Sequence, residues 1–339
     1  MHTPRHPTRS ITIMASALLA LFLLSFVLGR YGVPLGEVVK ILLSRVFPIE
    51  QTWTDNMAIA VWNVRLPRIL LACLVGCGLS AAGTAYQTVF QNPMAAPDIL
   101  GASSGACFGA ALAILTGQST VMVTVFAFLA SLLSVALVYL VGRRSRGSRV
   151  VSLLLAGIMV GSLFSACTSY IKLVADPTNQ LPAITYWLMG SLSSIKDKDV
   201  LFLSIPVTLG MVPLLVLRWR MNLLTLGEEE AQSMGVNTRR LRGTVIVCAT
   251  LLTSASVAVS GMIGWVGLVI PHFCRMLFGY DYRRLIPAGA LFGASFLLIV
   301  DDIARLVTTG ELPLGILTAF VGAPLFVYLI VTGGRRRVH

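Results

Sequence analysis

The chain has 339 residues, of which 56% are hydrophobic and only 12% are charged. Soluble domains carry roughly 45–50% apolar and about 25% charged residues, so this composition excludes a soluble globular protein and indicates a membrane protein. The net charge of +12 would suit a nucleic-acid partner. Its basic residues, however, are scattered through short segments rather than gathered on one domain, which argues against nucleic acid.

Ten apolar runs predict the membrane spans, since a helix needs about 20 apolar residues to cross a bilayer. The fold class is therefore all-α, a single polytopic transmembrane domain over residues 1–339. The run from Met262 to Phe278 is short and contains Pro271, so a half-helix or a re-entrant segment is an alternative there. The predicted spans are about 11–29, 66–86, 98–116, 120–141, 150–171, 199–217, 244–262, 263–278, 286–306 and 314–332.

The first run follows Arg5 and Arg9 and resembles a signal peptide, but no small-x-small cleavage site comes after it. We therefore expect an uncleaved first span. An even number of spans places both termini on one side. With the amino terminus in the cytoplasm, 17 of the 26 basic residues fall inside and 9 outside. The positive-inside rule thus predicts an N-in, C-in topology.

Two segments between the spans also have a helical pattern. The sequence VPLGEVVKILLSRVF (33–47) is apolar at helical spacing and is expected to lie on the outer membrane surface. The segment DPTNQLPAITYWLMGSLSSIKDKD (176–199) has an apolar middle too short to cross the membrane, which predicts a short helix at the outer mouth.

An inner loop contains an unusual acidic segment, LGEEEAQSMGV (226–236). Thr225 can cap a helix whose first turn carries Glu228, Glu229 and Glu230, which suits the positive end of the helix dipole. Gly235 offers a C-terminal stop. The segment is either a solvated loop helix or a docking site for a cytoplasmic partner, and spacing alone leaves both open.

Enzymatic motifs are weak. The string Gly101–Gly105 (GASSG) matches a nucleophile elbow, and with His272 it would suit an intramembrane serine protease. A ladder of small residues at Gly101, Gly105 and Gly109, which lets helices pack closely, is the favoured interpretation. None of the four lysines follows a glycine, so no P-loop is present and any ATPase is a separate chain.

Metal binding and ion coupling are also disfavoured. Cys73 and Cys77 share a helix face, but no histidine or carboxylate joins them, so we interpret them as packing residues and predict no metal site. An ion-coupled carrier needs an ionisable group at mid-membrane. No acid sits there; Asp301 and Asp302 fall toward the outer end of the ninth span. The spans carry hydroxyl and amide groups instead, and the pathway candidates are Ser80, Thr84, Gln87, Thr168 and Ser169.

Five stretches resemble a known family, the FecCD-type permeases of type II ABC importers for iron–siderophore, haem and vitamin B12. The resemblance runs in order over about residues 60–330. The stretches are RLPRILLACLVGCGLSAAGTAYQTVFQNPMAAPDILGASSGACFGA (65–110), YWLMGSLSS (186–194), LGEEEAQSMGVNTRRLR (226–242), GMIGWVGLVIPHFCRMLFG (261–279) and IARLVTTGELPLGILTAFVGAPLFVYL (303–329).

The resemblance implies a ten-helix subunit that forms a homodimer in the bacterial inner membrane. It implies two cytoplasmic ATP-binding subunits and a periplasmic or lipid-anchored substrate-binding protein. This chain would bind no cofactor and catalyse no reaction itself, and ATP would be used by its partner. Among cargoes, iron–siderophore is commonest in the family, with haem, cobalamin and molybdate as alternatives.

Three groups of residues take their roles from the resemblance. Arg65, Arg68 and Arg305 resemble the outer arginines that meet glutamates of the binding protein. Asn92 and Met94 of QNPMA resemble part of the cytoplasmic gate, while the segment 143–152 does not match the other gate element and is left unassigned. The coupling helix that fits a cleft in the ATPase is assigned to Gly227, Glu228, Glu229, Glu230, Ala231, Met234 and Gly235.

Overall fold

The computed structural model describes residues 7–29, 31–144, 149–193, 195–226, 228–307 and 310–335. The chain is helical throughout these ranges, with short connections and no strand. The helices are α1 (Pro7–Ser25), α2 (Leu35–Leu43), α3 (Asp55–Ile59), α4 (Leu66–Val89), α5 (Ala102–Leu115), α6 (Thr120–Arg144), α7 (Arg149–Val174), α8 (Gln180–Leu188), α9 (Asp197–Leu223), α10 (Glu228–Ser233), α11 (Thr238–Ser260), α12 (Val266–Phe278), α13 (Tyr282–Val307) and α14 (Leu314–Arg335).

Helix α4 is the centre of the bundle and contacts α9, α11, α12 and α13. Nearly all of its side chains are buried. Two glycines allow this: a Cβ atom on Gly76 would overlap the carbonyl oxygen of Gly293 in α13, and one on Gly83 would overlap that of Gly267 in α12. Because small residues let helix backbones approach closely, α4 packs here backbone to backbone.

Helices α5, α6 and α7 pack on one another, and α5 and α6 also contact α11. The predicted small-residue ladder lies at this contact. Gly101 begins α5 with a positive φ of 72°. Cβ atoms on Gly105 and Gly109 would collide with the backbone of α6 at Ala130 and Phe126. The packing role predicted for these glycines is therefore confirmed.

Several helices leave wide apolar faces uncovered. Among the described residues, five helices are long and apolar enough to cross a membrane, and four shorter helices are also apolar. In α6, α7 and α9 only about a third of the most apolar stretch is buried in the protein. In the continuous helical segment Asp55–Val89, which includes α3 and α4, the buried fraction is 78%. The two short segments with a helical pattern form α2 and α8 as predicted, and their outer location stays a prediction. The count of ten spans stays a prediction.

Contacts between distant segments define one end of the bundle, here named the arginine end. Ser25 Oγ at the end of α1 donates to Asp302 Oδ2 in α13 at 2.5 Å. The backbone N–H of Leu314 donates to the carbonyl oxygen of Gly190 at 2.8 Å. The ends of α1, α8 and α13 and the starts of α4 and α14 therefore meet at this end.

The opposite end is named the α10 end. Asn222 Nδ2 in α9 donates to Asp281 Oδ1 at 2.9 Å, and Asn222 Oδ1 accepts from the backbone N–H of Tyr282 at 2.9 Å. Partial burial of Asp281 opposes its ionisation, but the hydrogen bond from Asn222 and the neighbouring arginines keep the pKa of this carboxyl below its usual value. These contacts join the end of α9 to the turn between α12 and α13.

We expect Gly83→Ala to destabilise the protein, since the added methyl group would overlap the Gly267 backbone and force α4 away from α12. Overpacking of this kind costs about 1–3 kcal/mol. The measurement is the apparent melting temperature of detergent-solubilised protein. Gly243→Ala in α11 is the matched control, because a Cβ atom there meets open space. Equal melting temperatures for the two variants would contradict the close approach.

Candidate functional site

A buried network of charges joins α4 to α13 at the arginine end. Arg68 Nε donates to both carboxylate oxygens of Asp301 at 3.0 Å, and Nη2 donates to Oδ1 at 2.8 Å. The same carboxylate lies 3.3 Å from Arg305 Nε. Asp301 is fully buried. A buried ion pair is tolerated only where its charges are well matched, so Asp301 is the group that holds two guanidinium groups inside the protein.

Two further carboxylates complete this ion network. Asp302 accepts hydrogen bonds from Ser25 Oγ and from Arg305 Nη2. Glu311, in the segment before α14, accepts from Arg68 Nη1 at 2.8 Å. The Glu311 side chain is 28% exposed, which makes it the most accessible of the three acids. The network ties together α1, α4, α13 and the α13–α14 connection.

Arg65, Arg68 and Arg305 were predicted to dock a binding protein. They lie together at one end of the bundle, but they are only 4%, 6% and 8% exposed. Arg65 donates to the carbonyl oxygens of Phe26 and Tyr31 rather than to a carboxylate. The structure thus shows three internally engaged arginines. The sequence pattern contained no sign of this, and their docking role stays a prediction.

The segment predicted to be the coupling helix forms α10, and its coupling role stays a prediction. It ends in a Schellman motif: the N–H of Gly235 donates to Gln232 O at 2.9 Å and that of Val236 to Ala231 O at 3.1 Å, with Gly235 at φ 79°. Ala231 is fully buried and anchors the helix, whereas Met234 and Glu230 are exposed. Glu228 and Glu229 lie in the first turn. Gly227 lies outside the described residues.

The predicted gate residues form a turn directly after α4. Asn92 Oδ1 accepts from the backbone N–H of Met94 at 2.9 Å. Met94 is 49% exposed. The turn is therefore a surface feature at the α10 end of the bundle. An apolar side chain exposed there is available to close against another group, although its gating role stays a prediction.

Sequence analysis missed the residue before this turn. Gln91 has a positive φ of 48°, a conformation that costs a non-glycine residue about 1–2 kcal/mol. Its side-chain Nε2 donates to the carbonyl oxygen of Leu224, just after α9, at 2.6 Å. No pattern in the sequence indicates this contact, because the two residues are 133 positions apart.

The five pathway candidates separate into two groups. Ser80, Thr84 and Gln87 are buried on α4; Thr84 Oγ1 donates to Ser80 O at 3.0 Å and Gln87 Nε2 to Gly267 O at 3.3 Å. Because these three side chains are buried within this chain, a packing role is favoured for them. On α7, Thr168 is buried and Ser169 is exposed. Ser169 is thus the candidate whose position best suits the wall of a transport pathway, and this assignment stays a prediction.

An open apolar cavity of about 670 Å³ lies at the arginine end. It is bounded by the end of α8, the segment before α12 and the first turns of α14. No ionisable side chain is found among the described residues of its lining. The lining residues are Leu188, Met189, Met262, Gly264, Trp265, Gly315, Ile316, Ala319 and Phe320.

In the described part of the chain, no group of three or more His, Cys, Asp or Glu residues is placed to hold a metal ion. Cys73 and Cys77 lie in the central α4 and pack against the hydrophobic core. His272 faces the ring of Phe326 in α14, with the ring centroids 6.3 Å apart.

The helices, their exposed apolar faces and the charged groups gathered at the two ends define a multi-pass membrane protein. A family model described as the FecCD transport family matches residues 17–332, and the chain belongs to this family. The predicted family is thereby confirmed. The chain is a permease subunit of an ABC importer, a multi-pass protein of the bacterial inner membrane.

Two curated relatives and one solved structure illustrate the similarity. The molybdate import system permease protein MolB of Haemophilus influenzae is 40% identical over 92% of this chain and 93% of its own length. The hemin transport system permease protein HmuU of Yersinia pestis is 38% identical over 84% of this chain and 88% of its own length. A solved inward-facing ABC transporter, described as of the metal-chelate type, gives a TM-score of 0.86 at 37% identity and covers 96% of this chain and 99% of that one.

We expect Asp301→Asn to destabilise the protein by about 3–5 kcal/mol, because it leaves two buried guanidinium groups short of one negative charge. Glu37→Gln is the matched control. It breaks a partly exposed pair with Lys40, and ion pairs accessible to water contribute at most about 1 kcal/mol. Thermal unfolding of the two purified variants measures the difference. If Asp301→Asn unfolds no earlier than Glu37→Gln, Asp301 does not hold the arginines in place.

Proposed function

We propose that the chain forms a homodimer that moves an iron chelate, with iron–siderophore as the first candidate, from the periplasm or cell exterior to the cytoplasm. The family match over residues 17–332 carries this proposal, together with the likeness to a metal-chelate type transporter. Two separate ATPase subunits supply the energy, and a periplasmic or lipid-anchored binding protein delivers the cargo.

The apolar cavity at the arginine end supports a bulky cargo. Ligand pockets are commonly about 300–1,000 Å³, so a cavity of about 670 Å³ is wide enough for a chelate. Its uncharged lining offers little to a small oxyanion, which is recognised through hydrogen-bond donors and cations. Molybdate is nevertheless the second candidate, since the Haemophilus influenzae relative is named for it. Haem and cobalamin follow.

The orientation proposed is ten spans with both termini in the cytoplasm. The contacts of Ser25, Leu314 and Asn222 support an alternation of helix ends: α1 and α13 end at the arginine end, and α9 ends at the α10 end. The positive-inside distribution of Lys and Arg favours placing the α10 end in the cytoplasm. The arginine end, the cavity, α2 and α8 then face outward.

Helix α10 is proposed as the coupling helix. It stands on the surface that would face the ATPase, with Ala231 buried beneath it and Glu230 and Met234 exposed. The exposed Glu230 carboxylate, in an arginine-rich surface, is suited to a basic or polar cleft. The turn at Asn92 and Met94 is proposed as the cytoplasmic gate at the same end.

Docking of the binding protein is proposed for the arginine end. Because the three arginines are internally engaged, an incoming carboxylate has to compete with the acids already present. Glu311 is the point at which this competition is easiest, since it is partly exposed and contacts a single arginine nitrogen, Arg68 Nη1. Arg68 Nη1 then offers the incoming carboxylate a charge-assisted hydrogen bond, while Nε and Nη2 stay on Asp301.

Transport itself is tested with the permease, its ATPase and its binding protein reconstituted in liposomes. We expect ATP-dependent accumulation of radioiron–siderophore, with haemin, cobalamin and molybdate measured in parallel. Glu230→Lys should lower the uptake by weakening the ATPase contact. The matched control is Glu50→Lys, a charge reversal at another exposed glutamate, in the loop before α3.

Uptake of molybdate in place of the iron chelate would establish the second candidate. ATP-independent uptake would overturn the importer mechanism. If both glutamate variants lowered uptake equally, the effect would be one of net charge and the assignment of α10 would be wrong.

Docking is tested with Glu311→Gln. Removing this charge leaves Arg68 partly uncompensated, so we expect faster association with an acidic binding protein at low salt. The gain should shrink as the ionic strength rises, because exposed charges are screened over about 10 Å at 0.1 M salt. The association rate is measured on right-side-out vesicles, which present only the outer surface.

An unchanged rate at low salt would show that Arg68 does not take part in docking. Binding restricted to inside-out vesicles would reverse the proposed orientation. Thermal unfolding of the variant is the control for folding, since Glu311 also joins the α13–α14 connection to α4.

A further inference from the structure

The C-terminus of α4 has a Schellman motif with an unusual residue. The N–H of Asn92 donates to Gln87 O at 3.2 Å, and that of Gln91 to Thr88 O at 3.2 Å. These bonds place Gln91 at the position that requires a left-handed backbone, and its φ is 48°. Glycine is the usual residue there because it has no Cβ atom to clash.

The same motif ends two other helices of this chain with glycine. At the end of α5, Gly117 has a φ of 68°, and Gln118 donates to Ala113 O. At the end of α10, Gly235 has a φ of 79°. Gln91 therefore stands where the backbone alone favours glycine. Strained residues of this kind are found where the side chain has a task that the surroundings sustain.

The contact of the Gln91 side chain identifies that task. Its Nε2 donates to the carbonyl oxygen of Leu224 at 2.6 Å. Leu224 is buried and directly follows the last residue of α9. A carbonyl at a helix C-terminus lacks an intrahelical partner, so a side-chain donor suits it.

Leu224 lies at the entry to α10, which begins at Glu228. Two residues before Leu224, Asn222 is bonded to Asp281 and to the backbone of Tyr282. The segment leading to α10 is thus held from two sides, by the turn before α13 and by Gln91.

On its other side, Gln91 directly precedes the turn of Asn92 and Met94. The Asn92 side chain closes this turn onto the Met94 N–H at 2.9 Å. The path from Leu224 to Met94 is therefore one side-chain hydrogen bond followed by three consecutive residues.

We propose that Gln91 is a positioning residue that ties the gate turn at Asn92 and Met94 to the segment entering α10, so that displacement of α10 by the ATPase reaches the gate. This inference rests on the proposed roles of α10 and of the gate turn. The alternative is that Gln91 only caps the C-terminus of α9. In that case glycine at position 91 would stabilise the fold at least as well.

Three variants separate these roles. Gln91→Gly relieves the backbone strain and removes the donor. Gln91→Met keeps the length and the strain but has no donor. Gln91→Lys keeps both a long side chain and a donor for the Leu224 carbonyl. Thermal unfolding reports on the fold, and the ATP hydrolysed per cargo imported reports on coupling in the reconstituted complex.

We expect Gln91→Gly to be at least as heat-stable as the wild type and yet to hydrolyse several-fold more ATP per cargo imported. Gln91→Met should be uncoupled to the same extent, and Gln91→Lys should keep a ratio close to that of the wild type. Wild-type ratios in both Gln91→Gly and Gln91→Met would overturn the proposal. Uncoupling of Gln91→Lys as strong as that of Gln91→Met would overturn it as well.

A second measurement needs no cargo and separates this inference from the proposed function. Amide hydrogen exchange of residues 92–96 is compared with and without ATP in the complex with the ATPase. We expect ATP to change the exchange in the wild type and in Gln91→Lys but not in Gln91→Met. An equal change in all three would contradict the link through Gln91, even where wild-type transport is normal. Absent wild-type transport would count against the proposed function alone.

Discussion

The fold depends on how closely two helices approach α4. At Gly76 and Gly83 the backbones of α13 and α12 occupy the space where a side chain would lie. This contact brings the α4 backbone directly against those of α12 and α13, and nearly all of the α4 side chains are buried. A helix so enclosed behaves as a rigid element, because packed interiors transmit strain rather than absorb it. The ion network begins at its amino end and the gate turn follows its carboxyl end.

The sequence predicted those features that depend on local composition. The apolar runs became helices, the outer segments became α2 and α8, and the glycine ladder of α5 packs on α6, because periodicity and small size are properties of neighbouring residues. The acidic helix formed for the same reason: its first turn suits three glutamates and its end has a glycine. The family was recognisable because its motifs are long.

Features that depend on distant residues were not predictable in this way. Arg68 finds its partner 233 positions away, so the sequence showed a basic residue at a helix end and not a buried ion pair. Ser80, Thr84 and Gln87 are polar residues in a span, and only the packing around α4 shows that they face the interior of the protomer. Nothing in the sequence indicated the left-handed backbone of Gln91 or its contact with Leu224, because the residue expected in that conformation is glycine.

The composition of the ion network has an electrical consequence. The network pairs Arg68 and Arg305 with Asp301, Asp302 and Glu311, and Arg65 lies beside it on backbone carbonyls. The formal charges of the three arginines and the three carboxylates sum to zero. A charge that moves across a membrane exchanges about 2.3 kcal/mol with the field for each 100 mV of potential. A neutral set displaced as one body exchanges none. Movement of these six groups together as one body would therefore be electroneutral, and the voltage across the inner membrane would neither drive nor oppose it.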